Sequence, residues 1–88
     1  MTVLQFDAVI VGAGIVGATL AGLLANAGHK IAIVEPRVPE SFKPESNFEL
    51  RVSAISRASQ RAIAEVGAWD AILAKRAHAY EAMHVWDA

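Results

Sequence analysis

The sequence predicts an α/β fold, two parallel strands joined through a helix, on three observations. The first is the run Phe6 to Val11, ending in Val9-Ile10-Val11, which suits a strand buried on both faces. The second is the glycine pattern that follows it, Gly12-Ala13-Gly14-Ile15-Val16-Gly17. The third is a second apolar run, Lys30 to Glu35, in which Ile31, Ala32, Ile33 and Val34 lead to an acid. Strand, glycine turn, helix and parallel strand make a right-handed βαβ crossover, and this combination is that of a Rossmann-like unit.

Each part of the pattern has a physical reason. Gly12 allows the tight turn out of the first strand. Gly14 lacks a side chain, so a pyrophosphate can approach its backbone. Gly17 lets the helix pack close to the strand. The helix then starts at Gly14 or Ile15 and points its unpaired N–H groups and its positive dipole end at the phosphates. Leu20, Leu23, Leu24 and Ala27 follow helical spacing and are expected against the sheet. Ala18, Ala21 and Gly22 permit close approach, and Gly28 suits the left-handed position after the helix, which ends at about Ala27. Glu35 follows Gly17 by close to the roughly 20 residues expected for an acid that binds a ribose hydroxyl. In a parallel unit it ends its strand on the same edge as the glycine turn. These residues leave FAD and NAD equally open as the dinucleotide.

The rest of the chain is read in order. Pro36 to Asn47 holds all the prolines and is a loop, expected to be mobile without its ligand. Glu49 to Ile55 is extended, and Ser53 or Ser56 can cap a helix that runs to about Val66, with Ala62, Ile63 and Val66 on one face. Gly67 ends it. Trp69, Ile72 and Leu73 mark a short helix to about Lys75, and Ala82 to Asp87 is expected to be a third strand.

Composition narrows the function. The 88 residues make at most one small domain, and 55% of them are hydrophobic, more than so short a chain can bury alone. Open sheet edges after three strands lead to the expectation of a fragment of a larger domain, able to self-associate through those edges. The formal net charge of −1 gives no reason to expect nucleic acid. With no cysteine there is no disulfide or thiolate site, and His29, His78 and His84 have no metal-site spacing, so no metal is expected. Ala8 to Gly28 is long and apolar enough to suggest a membrane span or signal peptide. Against that stand glycines at 12, 14, 17, 22 and 28, Asn26, the lack of a basic lead and the strand that follows. No catalytic residue is assigned, since no Ser-His-Asp or paired-carboxylate arrangement can be defended.

Five segments carry a family resemblance: Asp7-Ala8-Val9-Ile10-Val11-Gly12-Ala13-Gly14-Ile15-Val16-Gly17, Ile33-Val34-Glu35, Leu50-Arg51-Val52-Ser53-Ala54-Ile55-Ser56, Val66-Gly67-Ala68-Trp69-Asp70 and Met83-His84-Val85-Trp86-Asp87. With them the chain resembles the N-terminus of the FAD-dependent hydroxylases of ubiquinone biosynthesis, of the aromatic-ring hydroxylase class of flavoprotein monooxygenases. The first two segments say only FAD or NAD; the last three are more specific. The resemblance implies FAD as cofactor and NAD(P)H as reductant, with O2 used to hydroxylate the ring of a polyprenylated phenol. It implies that Gly12, Ala13, Gly14, Ile15, Val16 and Gly17 hold the pyrophosphate, that Glu35 accepts from the adenosine ribose, and that Arg51 reaches the FAD near the ribose and pyrophosphate. It also implies that the strand at 82–88 begins the substrate-domain sheet. Other proteins of ubiquinone biosynthesis are then expected partners, and the location is cytoplasmic, peripheral at the inner membrane face. Pro36 after the acid departs from other members. The substrate pocket, the isoalloxazine site and the NAD(P)H contacts fall outside these residues, so the isolated piece is expected to be inactive and to bind FAD weakly or not at all. The alternatives are a nicotinamide-dependent dehydrogenase unit and a non-catalytic nucleotide-binding module. Arg37 beside Glu35 is read as a solvent ion pair, Lys75, Arg76 and His78 as a solvated basic helix end, and Trp69 and Trp86 as packing residues.

Overall fold

The computed structural model describes residues 3–50 and 52–87. The elements are β1 (Ala8–Val11), α1 (Ile15–Asn26), β2 (Ile31–Val34), α2 (Arg57–Glu65) and α3 (Trp69–Leu73). The two strands pair in parallel, with Ala8 opposite Ile31 and Val11 opposite Val34. This is a small α/β arrangement in which α1 is the crossover between parallel neighbours.

Side chains and loop atoms close both ends of the strand pair. At its start, the Asp7 N–H donates to the Lys30 carbonyl at 2.7 Å, and Asp7 Oδ2 accepts from the Lys30 N–H at 2.7 Å. His29 Nδ1 lies 3.9 Å from the same carboxylate oxygen. At the other end, the Gly12 N–H donates to the Val34 carbonyl at 2.8 Å, so the turn continues the ladder beyond β1.

Helices α1 and α2 end where glycine permits. Gly28 and Gly67 have φ of +95° and +82°, the left-handed region that side chains disfavour. Of the two candidate caps for α2, Ser56 fills the role: its Oγ accepts from the Ser59 N–H at 3.3 Å.

The small core lies between α1 and α2, where Ala21 and Ile63 are buried. Gly22 makes that contact possible, because a Cβ there would stand 2.7 Å from Val66 Cγ1 and 2.9 Å from Val66 Cβ. Asn26 Nδ2 adds a bond to the Glu65 carbonyl at 3.3 Å. Gly22→Ala is therefore expected to destabilise the folded polypeptide by about 1 kcal/mol, the clash of roughly 1–3 kcal/mol outweighing the helix-propensity gain of up to about 1 kcal/mol. Chemical denaturation should show that loss in the wild-type background and a gain from the same substitution once Val66 is alanine.

Three expectations need correction. The helix α1 is apolar on every side, so its spacing does not single out a sheet-facing stripe. Leu23 and Leu24 are half-buried, whereas Leu20 and Ala27 are exposed, and Leu20 and Leu23 border a groove toward α2. The strand expected over Ala82–Asp87 is absent among the described residues, with Met83, Val85 and Trp86 exposed. A strand is defined by its hydrogen-bonded neighbour, and no described segment provides one here. Trp69 is half-buried as a packing residue should be, but Trp86 is 82% exposed.

Candidate dinucleotide site

The turn between β1 and α1 has the features its glycines predict. Gly12 has φ +104°, which a side chain would strain. Gly17 is excluded from bearing a side chain by contact: a Cβ there would lie 2.2 Å from the Gly12 carbonyl oxygen. Gly14 is extended, at φ −69° and ψ −176°, and a Cβ placed on it would meet nothing within 4 Å. Its lack of a side chain therefore leaves open space over the turn, enough for a diphosphate to approach the main chain.

The start of α1 is unshielded. No side chain caps it and no acid lies in its first turn. The first intrahelical bond runs from the Ala18 N–H to the Gly14 carbonyl at 2.9 Å. The N–H groups of Ile15, Val16 and Gly17 precede that bond, so they are the donors a helix start leaves free for an anion. On these counts the residues present fit a dinucleotide pyrophosphate.

Glu35, just beyond β2, lies on the same edge. Its Oε1 accepts from the Ala13 N–H at 2.9 Å and its Oε2 accepts from the Arg37 N–H at 3.2 Å. Each carboxylate oxygen keeps a further lone pair for another donor. Thus Gly12, Ala13, Gly14, Ile15, Val16, Gly17 and Glu35 converge at one end of the strand pair. Arg51 lies outside the described residues. Arg37 meets Glu35 through its backbone N–H rather than through the ion pair expected from sequence.

Sequence reasoning missed the bond between Glu35 and Ala13, and the part of Val34, whose carbonyl anchors the turn. Parallel topology puts Glu35 on the shared edge but does not give the reach of its side chain. Among the described residues no helix is long and apolar enough to cross a membrane.

Fold and turn together define a small α/β unit whose crossover helix starts at a glycine turn beside an acid. A family model described as an FAD binding domain matches residues 5–87. The chain belongs to that family, and its cofactor is FAD. Over 87 residues it is 38% identical to the 3-demethoxyubiquinol 3-hydroxylase of Escherichia coli (strain K12), covering 99% of this chain and 22% of that protein. It is 43% identical over 89 residues to the mitochondrial ubiquinone biosynthesis monooxygenase COQ6 of Xenopus tropicalis, covering 94% of this chain and 19% of the relative. The ubiquinone hydroxylase UbiL of Rhodospirillum rubrum is 39% identical over 64 residues, covering 73% of this chain and 15% of its own length. The chain thus spans about a fifth of the length of the relatives it matches. No solved structure matches it significantly.

Proposed function

We propose that the chain is the N-terminal, cofactor-binding portion of an FAD-dependent monooxygenase that hydroxylates the ring of a polyprenylated phenol in ubiquinone biosynthesis, with NAD(P)H as reductant and O2 as oxidant. The observation that carries this reading is the meeting of Glu35 with the glycine turn at one sheet edge, in a chain of the FAD-binding family with ubiquinone hydroxylases among its relatives.

The residues divide the work as follows. Gly12 sets the turn, and Gly14 leaves the approach to the main chain open. The N–H groups at Ile15, Val16 and Gly17 face the pyrophosphate, with Ala13 held in place by Glu35. The free lone pairs of Glu35 accept from the adenosine ribose hydroxyls. Arg51 supplies a planar cation near the ribose and pyrophosphate, a geometry suited to phosphate oxygens. FAD, when bound, supplies the redox and oxygen chemistry, and the protein binds and orients it. Residues 82–88 begin the sheet of the substrate domain, where they find the neighbour a strand needs. A polyprenylated substrate dissolves in lipid, which favours a peripheral position at the inner membrane face. Contacts with other ubiquinone-biosynthesis proteins and self-association at the open sheet edges belong to the same reading.

The complete polypeptide should purify yellow, with a flavin absorption spectrum, and should oxidise NAD(P)H in the presence of a polyprenylphenol. A colourless protein that takes up NAD but no flavin would overturn the proposal. The isolated 88-residue piece is expected to show no turnover.

A further inference from the structure

The connection from β2 to α2 contains no helix or strand among its described residues. Connections without secondary structure beyond roughly 12–15 residues are uncommon in small domains, and the ordered ones serve a site. This one begins at Glu35 and leads to the segment before α2. Among its described residues the one backbone turn bond joins the Ser46 N–H to the Lys43 carbonyl at 3.1 Å, which cannot order the rest.

What holds the loop comes from the far side of the chain. Arg76, just past α3, donates through Nη2 to the Pro44 carbonyl. Its guanidinium lies 4.7 Å from the Phe48 ring centroid and 5.6 Å from that of Phe42. Lys75 Nζ stands 5.8 Å from the Phe42 centroid. A cation over each of two aromatic faces and a hydrogen bond between them form a three-point grip on one loop.

We infer that Arg76 is a positioning residue for the cofactor site, pinning the Pro36–Leu50 loop through Phe42, Phe48 and Pro44 so that the Glu35 end is ordered before FAD arrives. The inference rests on the proposed role of Glu35. The physical link is entropy. A loop left free must be ordered when the ligand binds, and that cost subtracts from affinity. The turn in which the Arg37 N–H meets Glu35 Oε2 is the loop's first step, so order in the loop reaches the carboxylate directly.

The test uses the complete polypeptide, with FAD affinity read by flavin fluorescence and loop order read by limited proteolysis of the apo form at residues 39–49. Arg76→Gln is expected to weaken FAD binding by roughly 3- to 10-fold and to speed cleavage within the loop, with the apo melting temperature nearly unchanged. Arg76→Lys should restore part of both effects, because it keeps the cation but loses the planar fork. Phe48→Leu, which removes the ring face and keeps apolar bulk, should speed cleavage as Arg76→Gln does. Unchanged proteolysis and affinity in Arg76→Gln, while Glu35→Gln still weakens FAD binding, would overturn the inference and leave the functional reading standing. Unchanged affinity in both would overturn the functional reading itself. If Arg76→Gln melts the fold, unchanged cleavage in Phe48→Leu overturns the inference and faster cleavage supports it.

Discussion

Replacing Gly17 by alanine is expected to abolish FAD retention and to lower the stability of the unit. The added Cβ would stand 2.2 Å from the Gly12 carbonyl oxygen and 3.2 Å from its carbon. The neighbour is backbone, so no rotamer change relieves the contact. Either the turn opens or α1 slides away from β1. Opening the turn strains the bond from the Gly12 N–H to the Val34 carbonyl and moves the N–H groups proposed to face the pyrophosphate. Overpacking against a side chain costs roughly 1–3 kcal/mol, and a backbone obstacle puts the expected loss at or above the upper end. A loss of about 3 kcal/mol in binding is a factor of roughly 150, enough to lose flavin during purification. A Gly17→Ala protein that stays yellow with an unchanged melting temperature would show that the crossover helix is not packed as described.

Replacing Glu35 by alanine is expected to weaken FAD binding by roughly 30- to 150-fold, from about 2–3 kcal/mol of lost charge-assisted hydrogen bonding. Two losses combine. The ribose loses its proposed acceptor, and the Ala13 N–H loses the partner that fixes the turn. Glu35→Gln keeps one acceptor oxygen, so it should fall between alanine and wild type. Titration of the apo polypeptide with FAD distinguishes these cases. Equal affinity for all three proteins would remove Glu35 from the site.

Much of this geometry was legible because it is local. The places of β1, α1 and β2 follow from runs of β-branched residues and from glycines whose φ is positive, at 12 and 28, although both strands are shorter than the expected Phe6 to Val11 and Lys30 to Glu35. The cap of α2 was narrowed to two serines, and one of them fills it. The edge shared by Glu35 and the turn follows from parallel topology alone. The rest depends on distance rather than pattern. Helical spacing misplaces Leu20 and Ala27 on a sheet-facing stripe of α1 because apolar residues surround that helix. The strand expected near Trp86 depends on a neighbour that no local signal supplies. The grip of Arg76 on Phe42 and Phe48 joins segments far apart in the chain, and neither an arginine after a short helix nor two phenylalanines in a loop announces the other.

The apolar circumference of α1 has a consequence during synthesis. Ile15, Val16 and Leu20 are exposed beside the buried Ala21 when these 88 residues stand alone, as the proposed N-terminal portion does while the remainder is still being made. Translation runs at about 5–20 residues per second, and apolar surface exposed meanwhile invites aggregation. A holdase chaperone bound over residues 15–24 during that interval would shield this surface, and cells depleted of such chaperones should accumulate the protein in the insoluble fraction.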